Sequence, residues 1–250
     1  MTQIWISAAG LCGATLLGSL LGFFIKNLPH KWNDTILGYC AGLMLAASII
    51  GLIVPGVETR GDMSVWIVVA GALAGGFFLN ILDLLTPHLH TLTGLDAEEH
   101  RNNHSLNRIM LFVMAIAIHK LPEGVAAGVT LTEAGDTSWI VTIGIALQNI
   151  PEGMVIIAPL LMAGVSHLRT LLISIAIGLL EVVGVWAGAF MGYLSASLLP
   201  VMLSFAGGAM LYVISDEMIP ETHAHGNQKL ATYALITGFM TLLVIEEAFA

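Results

Sequence analysis

Apolar residues fill eight stretches of this sequence, near 3–25, 35–57, 64–86, 108–131, 138–162, 168–191, 195–219 and 229–249. Each is long enough to cross a hydrocarbon core of about 30 Å as a helix of about 20 residues. Inside a bilayer every backbone polar group must be satisfied internally, which leaves helices or a closed barrel. Residues 67–85 do not alternate apolar and polar side chains as barrel strands do, so helices are expected. Charged residues make up only 10% of the chain, against roughly 25% in a soluble domain. That is too few to cover a water-facing surface. A net charge of −9 with no basic run argues against nucleic acid as a partner. The two cysteines, Cys12 and Cys40, stand in apolar sequence and make neither a disulfide scaffold nor a thiolate-rich zinc site. The expected fold class is all-α integral membrane: eight transmembrane helices in a single domain over 1–250, embedded in lipid, with one substantial loop at 87–107.

Basic residues set the expected orientation. Lys26 and Lys31 lie between spans 1 and 2, Arg101 and Arg108 between spans 3 and 4, Arg169 between 5 and 6, and Lys229 between 7 and 8. The opposite side has only Arg60. The positive-inside rule puts these odd-numbered loops in the cytoplasm and both termini outside it. Met1 to Trp5 carry no basic residue, so the first span is not expected to be a cleaved signal.

Two internal repeats are visible. Ile116-Ala-Ile-His-Lys-Leu-Pro-Glu-Gly124 recurs as Ile145-Ala-Leu-Gln-Asn-Ile-Pro-Glu-Gly153 on the next, hence antiparallel, span. A weaker echo relates Gly42-Leu-Met-Leu45, followed by Pro55, to Gly208-Ala-Met-Leu211, followed by Pro220. Inverted repeats of this kind accompany secondary transporters whose substrate site lies near the midplane.

Ionisable groups at mid-bilayer are costly and point to function. His119, Lys120 and Glu123 fall at the centre of span 4, Gln148, Asn149 and Glu152 at the centre of span 5, and Glu181 near the centre of span 6. His119 and Glu123 are i and i+4, so they share a helix face, and Gln148 and Glu152 repeat the arrangement. Pro122 and Pro151 each lack an N–H and free the carbonyl four residues upstream. Gly124 and Gly153 permit close helix approach. An imidazole, carboxylates and an amide oxygen converging in a bundle suit a borderline divalent metal such as zinc. A polar network that merely holds helices together is the simpler alternative. Three central carboxylates facing one lysine would be a costly way to build it. Lys120 itself sits roughly 15 Å from either edge of the hydrocarbon core, so it must be paired or neutral, with Glu123 at i+3 and Glu181 as the expected partners.

These motifs carry a family resemblance. His119-Lys-Leu-Pro-Glu-Gly124 and Gln148-Asn-Ile-Pro-Glu-Gly153 resemble the fourth- and fifth-span signatures of the ZIP (Zrt/Irt-like) metal-ion transporters. The second span around Gly38 to Ser48, the segment Asp83 to His90, and Ala206 to Glu217 resemble those of short bacterial-type members. The resemblance implies an eight-helix homodimeric transporter of the cell (inner) membrane, with both ends extracytoplasmic. Its cargo would be zinc first, with iron, manganese and cadmium as alternatives, moved into the cytosol, and it would need no resident cofactor. By position, His119, Glu123, Gln148 and Glu152 would bind the transported metal, with Met44 as a thioether ligand. Two-metal members have Asn where Lys120 stands. Lys120, Asn149 and Glu181 are therefore read as a second-cation position filled by the lysine. Glu123, Glu152 and Glu181 sum to −3 and Lys120 brings that to −2, which one divalent ion neutralises. A neutral lysine that carries protons is the alternative.

Polar residues at the expected cytoplasmic helix ends suggest an exit path: Asp83, His88 and His90 on span 3, and Asp216, Glu217, Glu221, His223 and His225 after span 7. Asp96, Glu98, Glu99, His100 and His104 would capture cytosolic metal or simply form a solvated loop. The rival class is a membrane-embedded metal-dependent hydrolase, which would use a similar centre to activate water. The H-E-x-x-H signature of such enzymes is absent, as is a Walker-type loop, so a transporter and not an enzyme is expected.

Overall fold

A computed structural model describes residues 1–25, 29–92, 104–132, 138–162, 164–194 and 196–249. Among them there is no strand. The long helices are α1 (Thr2–Phe24), α2 (His30–Glu58), α3 (Val65–Leu92), α4 (His104–Thr130), α5 (Ser138–Met162), α6 (His167–Leu194), α7 (Leu199–His223) and α8 (Gln228–Phe249). Seven, all but α4, contain a described stretch long and apolar enough to cross a membrane; α4 has 27 residues. Several helices outrun their apolar stretches. α2 begins at His30, α7 continues to His223, and the expected loop 87–107 is helical through Leu92 and again from His104. Hydropathy marks where the bilayer ends, whereas a helix continues until its backbone hydrogen bonds stop.

α2 and α7 share a local irregularity. Each widens into a π turn, Ile49–Ile53 and Ile214–Met218, two residues before Pro55 and Pro220 respectively. A proline within a helix removes one backbone bond and crowds the carbonyl four residues back. A π turn is one way a helix absorbs that disturbance without ending.

Glycines decide which helices pack most closely. Without water between helices, association depends on backbones approaching through small residues. An added Cβ at Gly18 would collide with the Ile150 carbonyl, and one at Gly124 with the Glu181 carbonyl. At Gly42 it would meet the Leu235 carbonyl, and at Gly75 that of Phe205. These contacts pair α1 with α5, α4 with α6, α2 with α8 and α3 with α7. α1 also packs on α6, and α2 on α7. Two groups result: α1, α4, α5 and α6, and α2, α3, α7 and α8. Across the boundary Gly51 faces a methyl of Val141, and Gly144 the methyls of Leu242. Those contacts are side-chain ends and not backbone.

Candidate metal centre

The prolines of the two Pro-Glu-Gly motifs do not break their helices: α4 runs through Pro122 and α5 through Pro151. His119, Lys120 and Glu123 therefore share one face, as do Gln148, Asn149 and Glu152, and the two faces meet. Gly124 lets α6 approach with Glu181, and Gly153 lets α1 approach with Thr15. All eight polar side chains are buried, none more than 6% exposed.

Lys120 lies at the middle. Its ammonium donates to Glu123 Oε2 at 2.6 Å, to Glu152 Oε2 at 2.7 Å, and to Asn149 Oδ1. The Asn149 amide donates in turn to Glu181 Oε1 at 2.7 Å and to the Leu11 carbonyl at 3.4 Å. Thr15 Oγ1 donates to Glu181 Oε2 at 3.2 Å. Glu181, expected to pair with Lys120 directly, is instead joined to it through Asn149, whose carboxamide stands between them. The second-cation residues Lys120, Asn149 and Glu181 thus form one chain of hydrogen bonds in which every oxygen is used.

The other half of the centre is different. Gln148 Nε2 donates to Glu123 Oε1 at 2.9 Å, yet Gln148 Oε1, Glu152 Oε1 and His119 Nε2 are buried without a hydrogen-bond partner. His119 Nε2 is 2.9 Å from Glu217 Oε1, but off the line that a hydrogen bond requires. A buried unsatisfied polar atom costs about 1–3 kcal/mol. Three together, one nitrogen and two oxygens, are an uncommon expense unless something else binds them. They are the donor atoms that a borderline divalent ion selects. Among the described residues no three His, Cys, Asp or Glu side chains form a ready-made cage, because Lys120 draws Glu123 and Glu152 toward itself.

A cavity of about 40 Å³ adjoins this half, lined by Leu37, Ile116, His119, Glu152, Glu217, Met218 and Glu221. It exceeds the roughly 10–15 Å³ that one water needs. Of the expected exit residues, Glu217 and Glu221 line it. His223 turns elsewhere: Nδ1 lies 2.9 Å from the Ile219 carbonyl and Nε2 3.2 Å from Thr232 Oγ1 on α8. His225 stacks on His30 at 4.4 Å and lies 3.0 Å from Asp34, and Asp216 is exposed. The side chains of Asp83, His88 and His90, and those of Asp96, Glu98, Glu99, His100 and His104, lie outside the described residues. Met44 is buried on α2 one turn beyond Cys40, whose thiol donates to the Gln148 carbonyl at 3.7 Å.

Sequence reasoning missed four contributors. Thr15 and the Leu11 carbonyl complete the second-cation half from α1, and their only sequence signal is the polar row Ser7, Thr15 and Ser19 on one helix face. Cys40 reads as an apolar core residue but touches the backbone of Gln148. Asp34, buried near the start of α2, accepts from Asn227 at 2.9 Å and so ties down the α7–α8 turn.

Comparison with known proteins agrees with the motif reading. The family model described as ZIP Zinc transporter matches residues 95–246. Zinc transporter ZIPB of Bordetella bronchiseptica is 37% identical over 249 residues, covering 96% of this chain and 79% of that protein. Zinc transporter GufA of Myxococcus xanthus is 38% identical over 240 residues, covering 93% of each. Human zinc transporter ZIP11 is 29% identical, with 94% of this chain and 93% of its own length covered. This multi-pass membrane protein belongs to the ZIP family of zinc transporters.

Proposed function

We propose that this chain carries zinc and similar divalent cations across the membrane into the cytosol by alternating access, through a site on α4 and α5. The observation that carries the reading is the trio of unpartnered buried atoms, His119 Nε2, Gln148 Oε1 and Glu152 Oε1, in a family whose named relatives are zinc transporters. Glu123 completes the ligand set by turning an oxygen from Gln148 or Lys120 to the ion. Met44 supplies a soft fifth ligand from α2, and iron, manganese and cadmium are the secondary substrates. The centre takes one ion, since Lys120 already fills the second position with Asn149 and Glu181. A second divalent cation would leave a net positive charge in low dielectric.

The path from the site leads through the cavity to Glu217 and Glu221, toward the side that loop charges assign to the cytoplasm. Two observations support alternation between two groups of helices. Gly18 and Gly124 within α1, α4, α5 and α6, and Gly42 and Gly75 within α2, α3, α7 and α8, meet backbone carbonyls, whereas Gly51 and Gly144 meet only side-chain ends across the boundary. The pairing also repeats: exchanging α1–α3 for α6–α8 and α4 for α5 turns the α1–α5 pair into α6–α4, and α2–α8 into α7–α3. That is the arrangement an inverted repeat would produce. The two charges of the ion, moving inward across 100 mV, gain about 4.6 kcal/mol at roughly 2.3 each. The family likeness further implies a homodimer.

A hydrolase would need an activated water poised against a substrate cleft, whereas the named relatives are transporters. Radiozinc uptake into proteoliposomes separates the readings. Saturable uptake competed by cadmium, iron or manganese supports transport, and none at any zinc concentration ends it. Cysteine labels at 95–105 should react only from the cytoplasmic side and labels at 133–137 only from outside; the reverse would overturn the direction.

A further inference from the structure

The polar centre contains a cation of its own. Lys120 is fully buried, and its ammonium bridges Glu123 of α4 and Glu152 of α5 while Asn149 holds it from a third direction. Both bridged carboxylates are cargo ligands in the reading above. Glu152 gives Oε2 to the lysine and keeps Oε1 open, so the same side chain meets the resident cation and the transported one.

A carrier reorients twice in each cycle, once loaded and once empty. With one divalent ion and Lys120, the formal charges of Glu123, Glu152 and Glu181 cancel, so the loaded centre crosses neutral. Emptied, the centre keeps −2 with the lysine and would keep −3 without it. Uncompensated charge is what a low-dielectric interior opposes most strongly. A carrier with a bare acidic centre would therefore return slowly unless a proton or another metal ion came with it. Lysine suits the role, because its point charge sits on a flexible four-carbon stem that can withdraw as the cargo enters.

We propose that Lys120 is a return-step cation: its ammonium stands in for the cargo between Glu123 and Glu152 whenever the site is empty, so that the empty carrier reorients without a co-substrate. This rests on the transport reading and adds to it a role in the empty half of the cycle, beyond the charge that the lysine gives the loaded centre.

The test compares two fluxes of radiozinc in proteoliposomes: net uptake into zinc-free vesicles, which needs empty return, and exchange at equal zinc on both sides, which does not. Lys120→Met keeps the length and removes the charge. With −1 left on the loaded centre and −3 on the empty one, it should slow net uptake at least about tenfold more than it slows exchange. Lys120→Arg should fall between. Equal losses in a folded Lys120→Met protein, or no loss in either flux, would overturn the proposal. Should that variant fail to fold, the wild type decides alone: its exchange should be insensitive to membrane potential and its net uptake sensitive. Potential-dependent wild-type exchange would overturn the proposal as well. Wild-type vesicles that neither take up nor exchange zinc would instead end the transport reading.

Discussion

The two halves of the polar centre are made from the same two helical turns, yet they are finished differently. Around Lys120, Asn149 and Glu181 every donor and acceptor is matched, and α1 contributes Thr15 and the Leu11 carbonyl to complete the set. Around His119, Gln148 and Glu152 three atoms are left over, and a cavity adjoins them. Satisfied buried networks rigidify, whereas unsatisfied atoms are a standing cost that a ligand removes. The contrast separates a matched half that seats Lys120 from an open, proposed working half beside it. Mutations should follow that line.

The largest effects belong to the working half. His119→Ala, Glu123→Ala or Glu152→Ala should each lower saturable zinc uptake by about a hundredfold or more while leaving a folded protein, since each removes a proposed ion ligand. Gln148→Ala should be milder, on the order of tenfold, because a neutral amide oxygen contributes less than a carboxylate. If Glu123→Ala and Glu152→Ala both transport normally, the working half has been misplaced. Metal analysis of the purified wild type should give one ion per chain; two ions at this centre would mean that Lys120 does not fill the second position.

Next come substitutions that alter the frame around the centre. Gly18→Ala would drive a methyl into the Ile150 carbonyl beside Glu152, and Gly42→Ala would do the same to Leu235 in the other group of helices. Overpacking of this kind costs about 1–3 kcal/mol, measurable as a lower unfolding temperature in detergent. At Gly144 an added methyl meets only the end of Leu242, which can rotate aside. Gly144→Ala should keep its stability to within about 0.5 kcal/mol and change the transport rate alone. Equal destabilisation at Gly18 and Gly144 would remove the distinction between contacts within the groups and contacts across their boundary.

Much of this was legible in the sequence for a physical reason. Hydrophobic spans are demanded by the bilayer, and i,i+4 spacing places His119 with Glu123 and Gln148 with Glu152 on any helix. What depends on register between helices was not legible. The i+3 contact of Lys120 with Glu123 follows from one helix, but its bonds to Asn149 and Glu152 need the α4–α5 alignment, and the interposed Asn149 displaces the expected Lys120–Glu181 pair. Position at a helix end likewise says nothing of direction. Glu217 and His223 are six residues apart; the first sits in a π turn and reaches His119, and the second turns to Thr232 on α8. Thr15 went unseen because a threonine in an apolar span usually bonds its own helix, as Ser19 does to the Thr15 carbonyl.

The smallest effect should come from the support that α1 gives the matched half. Thr15→Val keeps the shape of the side chain and deletes one hydrogen bond, the 3.2 Å contact to Glu181 Oε2. Asn149 still holds Glu181 through Oε1, so no charge is abandoned and no cavity opens. Interhelical hydrogen bonds within membranes average about 0.6 kcal/mol, and the longer distance places this one near or below that. The expected outcome is a barely lowered unfolding temperature, with zinc uptake within about twofold of wild type. Thr15 lies on α1, which contributes no proposed cargo ligand, so the result tests whether Thr15 and Glu181 act only by support. A loss of uptake as deep as that of Glu152→Ala, in a protein that still folds, would mean that Glu181 meets the ion directly and that the two halves are one site.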